Sequence, residues 1–383
     1  MRNAVIVDAV RTPIGRRNGI LKDWHPADLA SVPLAALAER NDLDTSVVDD
    51  VVMGCVSQTG EQTGNLGRWA VLAAGYPEEV PAVTVDRQCG SSQQAVHFAA
   101  QGVMSGVYDV AIAAGVESMT RVPMGVTFQQ GPGFPFGPKV LSRYDNGLVP
   151  QGVSAEMMAE KWGIPRARLD EISYHSHQRA ARATDEGRFA GQIAPVEVAG
   201  EQIAIDEGFR RDTNPEVLAT LKPAFKSDGV VTAGNSSQIS DGAAALLIAG
   251  EDVAEKMGWR PMARFRGFTV VGSDPVLMLD GPIPATFGVL EKTGLSVGDI
   301  GVFEVNEAFA SVVAAWLIET GADWEKTNPN GGAIALGHPL GGSGAILMTR
   351  LVHEMVRTGA RYGLQTMCEG GGTANGTILE LIT

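Results

Sequence analysis

The sequence predicts an α/β protein made of two similar halves, with a further segment inserted into the first half. Apolar runs of strand length alternate with segments of helical period, which is typical of sheets covered by helices on both faces. A strand, a glycine-containing turn, a helix and a second strand surround residue 89, and a similar order recurs about 250 residues later. The 383 residues are enough for two or three folding units.

Eight strands are predicted from runs rich in Val, Ile and Ala, and seven helices from apolar residues at a period near 3.6. The strands are expected at residues 4–10, 51–55, 82–86, 110–114, 244–249, 263–271, 300–305 and 363–368. The helices are expected at residues 26–40, 91–105, 154–161, 166–186, 282–293, 308–319 and 343–357.

Composition excludes several classes of protein. The formal net charge of -14 argues against a basic surface for nucleic acid, and no apolar run approaches the length that spans a bilayer. Three widely separated cysteines without CxxC spacing argue against a metal cage or a disulfide framework, so no bound metal is expected. They favour a reducing compartment, and since the chain starts directly on a strand, the cytoplasm is the expected location.

The proposed division of the chain has three parts. Residues 1–117 form the first half, which residues 239–262 complete, and residues 263–383 form the second half. Residues 118–238 form the inserted segment, which is nearly neutral in an otherwise acidic chain. That balance suits an anionic ligand, although on its own it is explained better by a solvated insertion of mixed charge.

Cys89 is the first candidate for chemistry. It follows an apolar strand and lies at the start of an amphipathic helix, where the unpaired N–H groups of the helix lower the pKa of a thiol. This is the setting of a nucleophile, although a buried apolar cysteine is the more common role of this residue type.

Three further residues follow strands or lie in glycine-rich turns. His338, between Gly337 and Pro339, is placed to act as a base for a thiol. Cys368 opens a turn of three glycines that can present N–H groups to an oxyanion, and it can itself act as an acid and a base. Asn306 can hold a water molecule or cap the helix that follows it.

Taken together, four motifs resemble the thiolases, which include the acetyl-CoA acetyltransferases and the 3-ketoacyl-CoA thiolases. They are the Cys89 turn, residues 306–309 (NEAF), residues 337–339 (GHP) and residues 368–372 (CEGGG), and the likeness extends over essentially the whole chain. The resemblance implies the thiolase fold, with two similar βαβαβαββ halves in a layered α/β arrangement and an inserted loop domain. It also implies a homodimer or homotetramer.

The resemblance implies a role for each motif. Cys89 would be acylated, His338 would be its general base, and Cys368 would protonate or deprotonate the α-carbon of acetyl-CoA. Two oxyanions would be stabilised, one by His338 with a water held by Asn306, the other by the N–H groups of Cys89 and Gly370. No permanently bound cofactor is implied, because CoA and acyl-CoA thioesters are substrates. CoA would contact the inserted segment through Lys222, Ala233, Ser236 and Ser237.

Two departures from the family pattern affect the function. Glu369 stands where the family usually has an apolar residue, and its charge could raise the pKa of Cys368 or point away from it. Short-chain biosynthetic members commonly carry His-Met-Gly where this chain has residues 150–152 (PQG). This difference favours a degradative enzyme that cleaves longer or bulkier 3-ketoacyl-CoA substrates, with a short-chain acetoacetyl-CoA thiolase as the alternative.

Two other functions were weighed. A ketosynthase of related fold lacks the second catalytic cysteine, so Cys368 argues against it. A catalytically silent acyl-CoA-binding protein would not need Cys89, His338, Asn306 and Cys368 together.

Overall fold

The computed structural model describes residues 2–129, 131–144 and 147–382. Its strands are β1 (Ala4–Arg11), β2 (Gly15–Arg16), β3 (Asp50–Gly54), β4 (Ala82–Val85), β5 (Val110–Ser118), β6 (Val196–Val198), β7 (Glu201–Ile203), β8 (Ser240–Gly250), β9 (Ala263–Gly272), β10 (Val302–Val305), β11 (Tyr362–Glu369) and β12 (Thr373–Leu381).

The helices lie between these strands. They are α1 (Pro26–Arg40), α2 (Leu66–Ala73), α3 (Ser91–Ser105), α4 (Val126–Gln129), α5 (Pro138–Leu141), α6 (Gln151–Lys161), α7 (Arg166–Asp185), α8 (Pro215–Ala219), α9 (Glu251–Lys256), α10 (Pro282–Thr293), α11 (Ala310–Thr320), α12 (Ala333–Leu336) and α13 (Ser343–Thr358).

One mixed sheet forms the centre of the molecule, in the order β10-β11-β12-β9-β1-β8-β5-β3-β4, and the short strand β2 pairs with β8. The order is mirrored about the β1–β9 junction, where the two strands pair antiparallel over two residues. On one side β3 is parallel to β5 and β5 is antiparallel to β8; on the other, β10 is parallel to β11 and β11 is antiparallel to β12. The predicted repeat is therefore a repeat of topology.

Two helices, α3 and α13, pack against each other and against strands of the central sheet. Their apolar residues share a single core cluster with β1, β5 and β8. The helices pack closely because small residues face each other: a β-carbon on Gly344 would lie 2.2 Å from the backbone nitrogen of Gln93. A second cluster on the other face of β1, β5 and β8 is covered by α1 and α2. Both faces of these strands are therefore buried, as their continuous apolar sequences predict.

The segment between β5 and β8 contains the hairpin β6–β7 and the helices α4 to α8. It leaves the sheet at Ser118 and returns at Ser240, and β5 and β8 pair with each other along their whole length. The insertion therefore leaves the sheet intact and places its own helices at one end of the strands.

Most predicted elements are confirmed, and the helices at residues 26–40, 91–105 and 282–293 have the predicted bounds. The helix expected from residue 308 starts at Ala310, and the one expected from residue 154 already starts at Gln151. The sequence analysis missed β12 and α2, and it missed the minor strands and the short helices.

Candidate active site

Cys89 lies in a tight turn between β4 and α3 and is only 4% exposed. Gln88, just before it, has a φ of 47°, which is unusual for a residue other than glycine. Hydrogen bonds hold this conformation: the Gln88 N–H donates to Asp86 at 2.6 Å, and the Ser91 hydroxyl donates to the Gln88 carbonyl at 2.6 Å. The turn thus fixes the nucleophile candidate at the N-terminus of α3.

Burial raises the pKa of the Cys89 thiol to about 12, and the nearby carboxyl group of Glu369 adds to the effect. Hydrogen bonds from the Gln151 amide, the Gly370 N–H and the N–H of Cys89 itself act in the opposite direction. In the folded protein, desolvation is thus the largest influence on this pKa, and it acts against the lowering expected from a helix N-terminus. Cys89 rests as a thiol and needs a base.

His338 is held in one orientation. Its Nδ1 lies 2.5 Å from the Ser343 hydroxyl, and that hydroxyl donates to the Pro339 carbonyl at 2.9 Å. Because its proton is used in this way, the Ser343 oxygen accepts from Nδ1–H, which leaves the lone pair of His338 on Nε2. Burial lowers the pKa of His338 to about 4, so the imidazole is neutral near pH 7 and can accept a proton.

Asn306 lies just after β10 and is 1% exposed. Its Nδ2 is 3.4 Å from the Nε2 of His338, so the amide faces the nitrogen that carries the lone pair. Its Oδ1 is buried and has no hydrogen-bond partner among the described residues. A buried acceptor of this kind calls for a water molecule or a substrate group beside His338.

Cys368 lies near the end of β11 and is buried, with 1% of its surface exposed. Burial raises the pKa of its thiol well above the usual value, and the charges of Cys89 and Glu369 raise it further. The effect of Cys89 on this pKa indicates that the two thiols lie near each other. The turn that follows positions Gly370, and its N–H bonds to the sulfur of Cys89.

A buried carboxylate ties the His338 loop to the first half of the sheet. Glu117, at the end of β5, accepts hydrogen bonds from the backbone N–H groups of Val56, Ser57 and Gly341, at 2.9 to 3.0 Å. The N–H of His338 itself donates to the Ser240 hydroxyl at 3.2 Å. These bonds cross between the two halves, so the position of His338 depends on both.

Gln151 is a site residue that the sequence analysis did not assign. It is the first residue of α6 and half-buried, and its amide bonds to the sulfur of Cys89. Its Nε2 also lies 3.4 Å from the point where a β-carbon on Gly370 would be. The only signal in the sequence was the departure at residues 150–152, which placed an amide where the biosynthetic pattern has a different side chain.

The CoA candidates form a corner of the inserted segment. Lys222 and Ala233 are exposed, and an isolated β-bridge between Pro223 and Thr232 joins the two segments that carry them. The Ser236 hydroxyl is engaged, since it donates to the Thr232 carbonyl at 2.7 Å.

The N–H of Ser237 donates to the Ala308 carbonyl at 2.9 Å, which connects this corner with the Asn306 loop. The structure therefore brings the turn at 233–237 to the catalytic candidates, while Lys222 lies farther out on the surface.

Two further features of the described residues bear on other kinds of site. No three His, Cys, Asp or Glu side chains there are grouped so that they could hold a metal ion. None of the helices in this part of the chain is long and apolar enough to cross a membrane.

Two buried thiols and a neutral, buried imidazole on a mirrored α/β sheet are the groups that an enzyme of acyl transfer needs. Comparison with known families agrees, because residues 4–252 match the model "Thiolase, N-terminal domain" and residues 259–381 match "Thiolase, C-terminal domain". The chain belongs to the thiolase family.

Individual relatives cover the whole chain. It is 49% identical to the steroid 3-ketoacyl-CoA thiolase FadA6 of Mycobacterium tuberculosis, over 99% of this chain and 94% of that protein. It is 42% identical to the 3-ketoacyl-CoA thiolase of Bacillus subtilis, over the full length of both.

Solved structures show the same fold. The human mitochondrial 3-ketoacyl-CoA thiolase in complex with CoA superposes with a TM-score of 0.92 at 38% identity, covering 100% of this chain and 98% of that one. The acetyl-CoA acetyltransferase of Bacillus anthracis gives a TM-score of 0.91 at 37% identity, covering 100% and 99%.

Proposed function

We propose that the chain cleaves 3-ketoacyl-CoA with free CoA, giving acetyl-CoA and an acyl-CoA shortened by two carbons. The observation that carries the proposal is the pairing of two buried, electrostatically coupled thiols, Cys89 and Cys368, in one site with a neutral His338. One thiol serves as the nucleophile and the other as the acid, which is the division of work that carbon–carbon cleavage requires.

The first half-reaction begins when His338 takes the proton of Cys89. The thiolate attacks the 3-keto carbon, the bond between C2 and C3 breaks, and Cys368 gives its proton to the departing acetyl-CoA carbanion. The products at this stage are acetyl-CoA, an acyl thioester on Cys89, a Cys368 thiolate and a protonated His338.

The second half-reaction restores the enzyme. The Cys368 thiolate takes the proton of free CoA, and the CoA thiolate attacks the acyl group on Cys89. The bond between the acyl carbon and the Cys89 sulfur breaks, and the released thiolate recovers its proton from His338. Both thiols and the imidazole return to their starting protonation states.

Two groups of donors would stabilise the negative oxygens. The N–H groups of Cys89 and Gly370 converge on the nucleophile, which supports their assignment to the tetrahedral intermediate. Protonated His338 and a water on Asn306 would serve the enolate, a proposal supported by the unpartnered Oδ1 of Asn306. Each such donor contributes about 3 kcal/mol to the transition state.

We further propose a bulky or ring-containing acyl group as the substrate. The name of the M. tuberculosis relative supports this, since it describes a steroid thiolase. The experiment compares kcat/KM for acetoacetyl-CoA, a long-chain 3-ketoacyl-CoA and a steroid-derived 3-ketoacyl-CoA. Preference for the steroid derivative is expected; preference for acetoacetyl-CoA would assign the chain to the short-chain biosynthetic branch instead, and no cleavage of any of them would contradict the enzyme assignment.

CoA is proposed to lie along the corner formed by Lys222, Ala233, Ser236 and Ser237. Support comes from the bond between Ser237 and Ala308, which places this corner beside the catalytic candidates, and from the exposed ammonium of Lys222, which suits a phosphate. On this basis residues 118–238 form the CoA-binding loop domain. The first half consists of residues 1–117 and 239–262, and the second half consists of residues 263–383.

The same proposal includes self-association. β4 is the outermost strand on its side of the sheet, and Val83 on it is 42% exposed. An open apolar edge of this kind can pair with a second copy, which supports a homodimer or a tetramer built from dimers. Sedimentation equilibrium tests it. Three free, buried cysteines support the proposal that the protein works in the reducing cytoplasm.

A further inference from the structure

Glu369, beside Cys368, has a carboxyl group that is only half satisfied. Its side chain is fully buried, and the Thr373 hydroxyl donates to its Oε2 at 2.6 Å. Its Oε1 is buried without a hydrogen-bond partner. An ionised carboxylate in this position would carry a desolvated charge on an oxygen that nothing stabilises.

A second unsatisfied acceptor, the Oδ1 of Asn375, lies on the same side. A β-carbon on Gly90 would lie 3.1 Å from this oxygen and 1.8 Å from the Oε1 of Glu369. The amide orientation of Asn375 is set by its Nδ2, which lies 3.2 Å from the Oε1 of Gln94 and 3.1 Å from the Nδ1 of His97. Two buried acceptors therefore border the same small space beside Gly90, and a proton on the carboxyl group would supply the donor that this space lacks.

The groups that face Glu369 include one cation, but it forms no ion pair with the carboxyl group. From the turn before α3, Asp86 repels it, and Arg87 attracts it through space while its own Nε remains without a hydrogen-bond partner among the described residues. The thiol of Cys89 faces it from the same turn and that of Cys368 from β11, and His97 of α3 lies behind Asn375.

We propose that Glu369 is protonated in the resting enzyme and donates a hydrogen bond to the Oδ1 of Asn375, so that it acts as a neutral positioning residue beneath the nucleophile turn. It holds Gly90 through packing and adds no negative charge to the site. This proposal goes beyond the cleavage reaction and does not depend on the identity of the acyl group.

The surroundings agree with this protonation state. Burial raises the pKa of Glu369 to about 8. The hydrogen bond from Thr373 and the charge of Arg87 act in the opposite direction but are smaller. Its ionised form would raise the pKa of both Cys89 and Cys368. The neutral form therefore adds no negative charge that opposes thiolate formation, and loss of its proton above pH 8 raises the pKa of both thiols further, just where free thiols normally become more reactive.

The experiment compares the wild type with Glu369→Gln, whose amide can donate to Asn375 and accept from Thr373 as the protonated acid does. Glu380→Gln, which makes the same chemical change in an ion-paired, partly exposed carboxylate near the end of β12, is the control. Infrared difference spectra at pH 7 are expected to show a protonated-carboxyl C=O band in the wild type and in Glu380→Gln that is missing in Glu369→Gln. This band should disappear as the pH rises through about 8. A band of equal strength in Glu369→Gln would overturn the proposal.

A second readout follows the thiol directly. Alkylation of Cys89 by iodoacetamide, measured on its peptide by mass spectrometry, is expected to be severalfold faster at pH 9 in Glu369→Gln than in the wild type, with a much smaller ratio at pH 6.5. A ratio that does not change with pH would overturn the proposal. Neither readout uses an acyl-CoA, so failure here and failure of the proposed cleavage reaction can be told apart.

Discussion

The Nδ1 of His338 and the hydroxyl oxygen of Ser343 lie 2.5 Å apart, and Ser343 is the first residue of α13. This contact joins the general base to the central helix of the second half. It also determines which ring nitrogen carries the proton, because the Ser343 hydroxyl proton is used by the Pro339 carbonyl.

Replacing Ser343 with Ala should therefore reduce kcat by about 10- to 100-fold, since part of the general-base contribution depends on the correct tautomer. Steady-state cleavage of a 3-ketoacyl-CoA measures the effect. Thr349→Ala is the matched control, because it removes another buried hydroxyl from α13 that bonds only within the helix. Equal kcat values in the two variants would contradict the role of Ser343.

The two thiols should fail in different ways. Cys89→Ala should abolish turnover, because no acyl-enzyme can form. Cys368→Ala should still acylate Cys89 but lose exchange of the α-protons of acetyl-CoA with deuterated water, which proton NMR measures. If Cys368→Ala exchanged these protons at the wild-type rate, Cys368 would not be the acid and base.

The pH profile of kcat/KM should show no acid limb near the ordinary pKa of histidine. Since the pKa of His338 is lowered to about 4 in the folded protein, kcat/KM should show no titration of this group between pH 7 and pH 5. The sign for stability follows from the same shift: the contribution of neutral His338 is present above pH 6.5 and is lost as the pH falls towards 4. A kinetic pKa near 6.5 that disappears in His338→Asn would contradict the neutral, buried base.

Gln151 should make Cys89 more acidic, because its amide bonds to the sulfur. Gln151→Leu, of similar volume, should slow alkylation of Cys89 by iodoacetamide at pH 8 severalfold, and Gln178→Leu on α7 serves as the control. A wild-type alkylation rate in Gln151→Leu would show that the amide does not stabilise the thiolate.

The buried carboxyl group of Glu369 should make stability depend on pH. Its pKa of about 8 in the folded protein exceeds the ordinary 4.5, so the folded state holds this proton more tightly and loses stability as the pH rises from about 4.5 to about 8. Glu369→Gln lacks this loss and should gain a few kcal/mol over the wild type at pH 8 compared with pH 5. Denaturant unfolding at both pH values measures the difference; a constant difference would mean that Glu369 is ionised throughout.

The sequence was a good guide where local chemistry determines structure. The helix at 91–105 was predicted with its bounds because an apolar face ends at Gly106, which adopts a φ of 78°. The strand β12 was missed because its buried residues include the polar Asn375 and Thr377, which form hydrogen bonds with side chains of α3. Helix α2 is eight residues long and has no side-chain cap, so it offered little signal.

The same distinction holds for the site. The positions of Cys89, His338, Asn306 and Cys368 could be read from motifs, but the direction of the pKa shift at Cys89 could not, because burial is a property of the assembled fold. The contacts of Gln151 with Cys89 and of Glu369 with Gly90 likewise join segments more than 50 residues apart in sequence, and no local pattern encodes them.

The position of β1 has a consequence for synthesis of the chain. Residues 4–11 are made long before the strands with which they pair, β8 at residues 244–250 and β9 beyond it. The ribosome must therefore add more than two hundred residues before this apolar strand finds its partners, and such long-range pairing is slow. The nascent chain carries an unpaired, aggregation-prone strand throughout that interval, so its yield in cells should respond to chaperones that bind extended apolar segments.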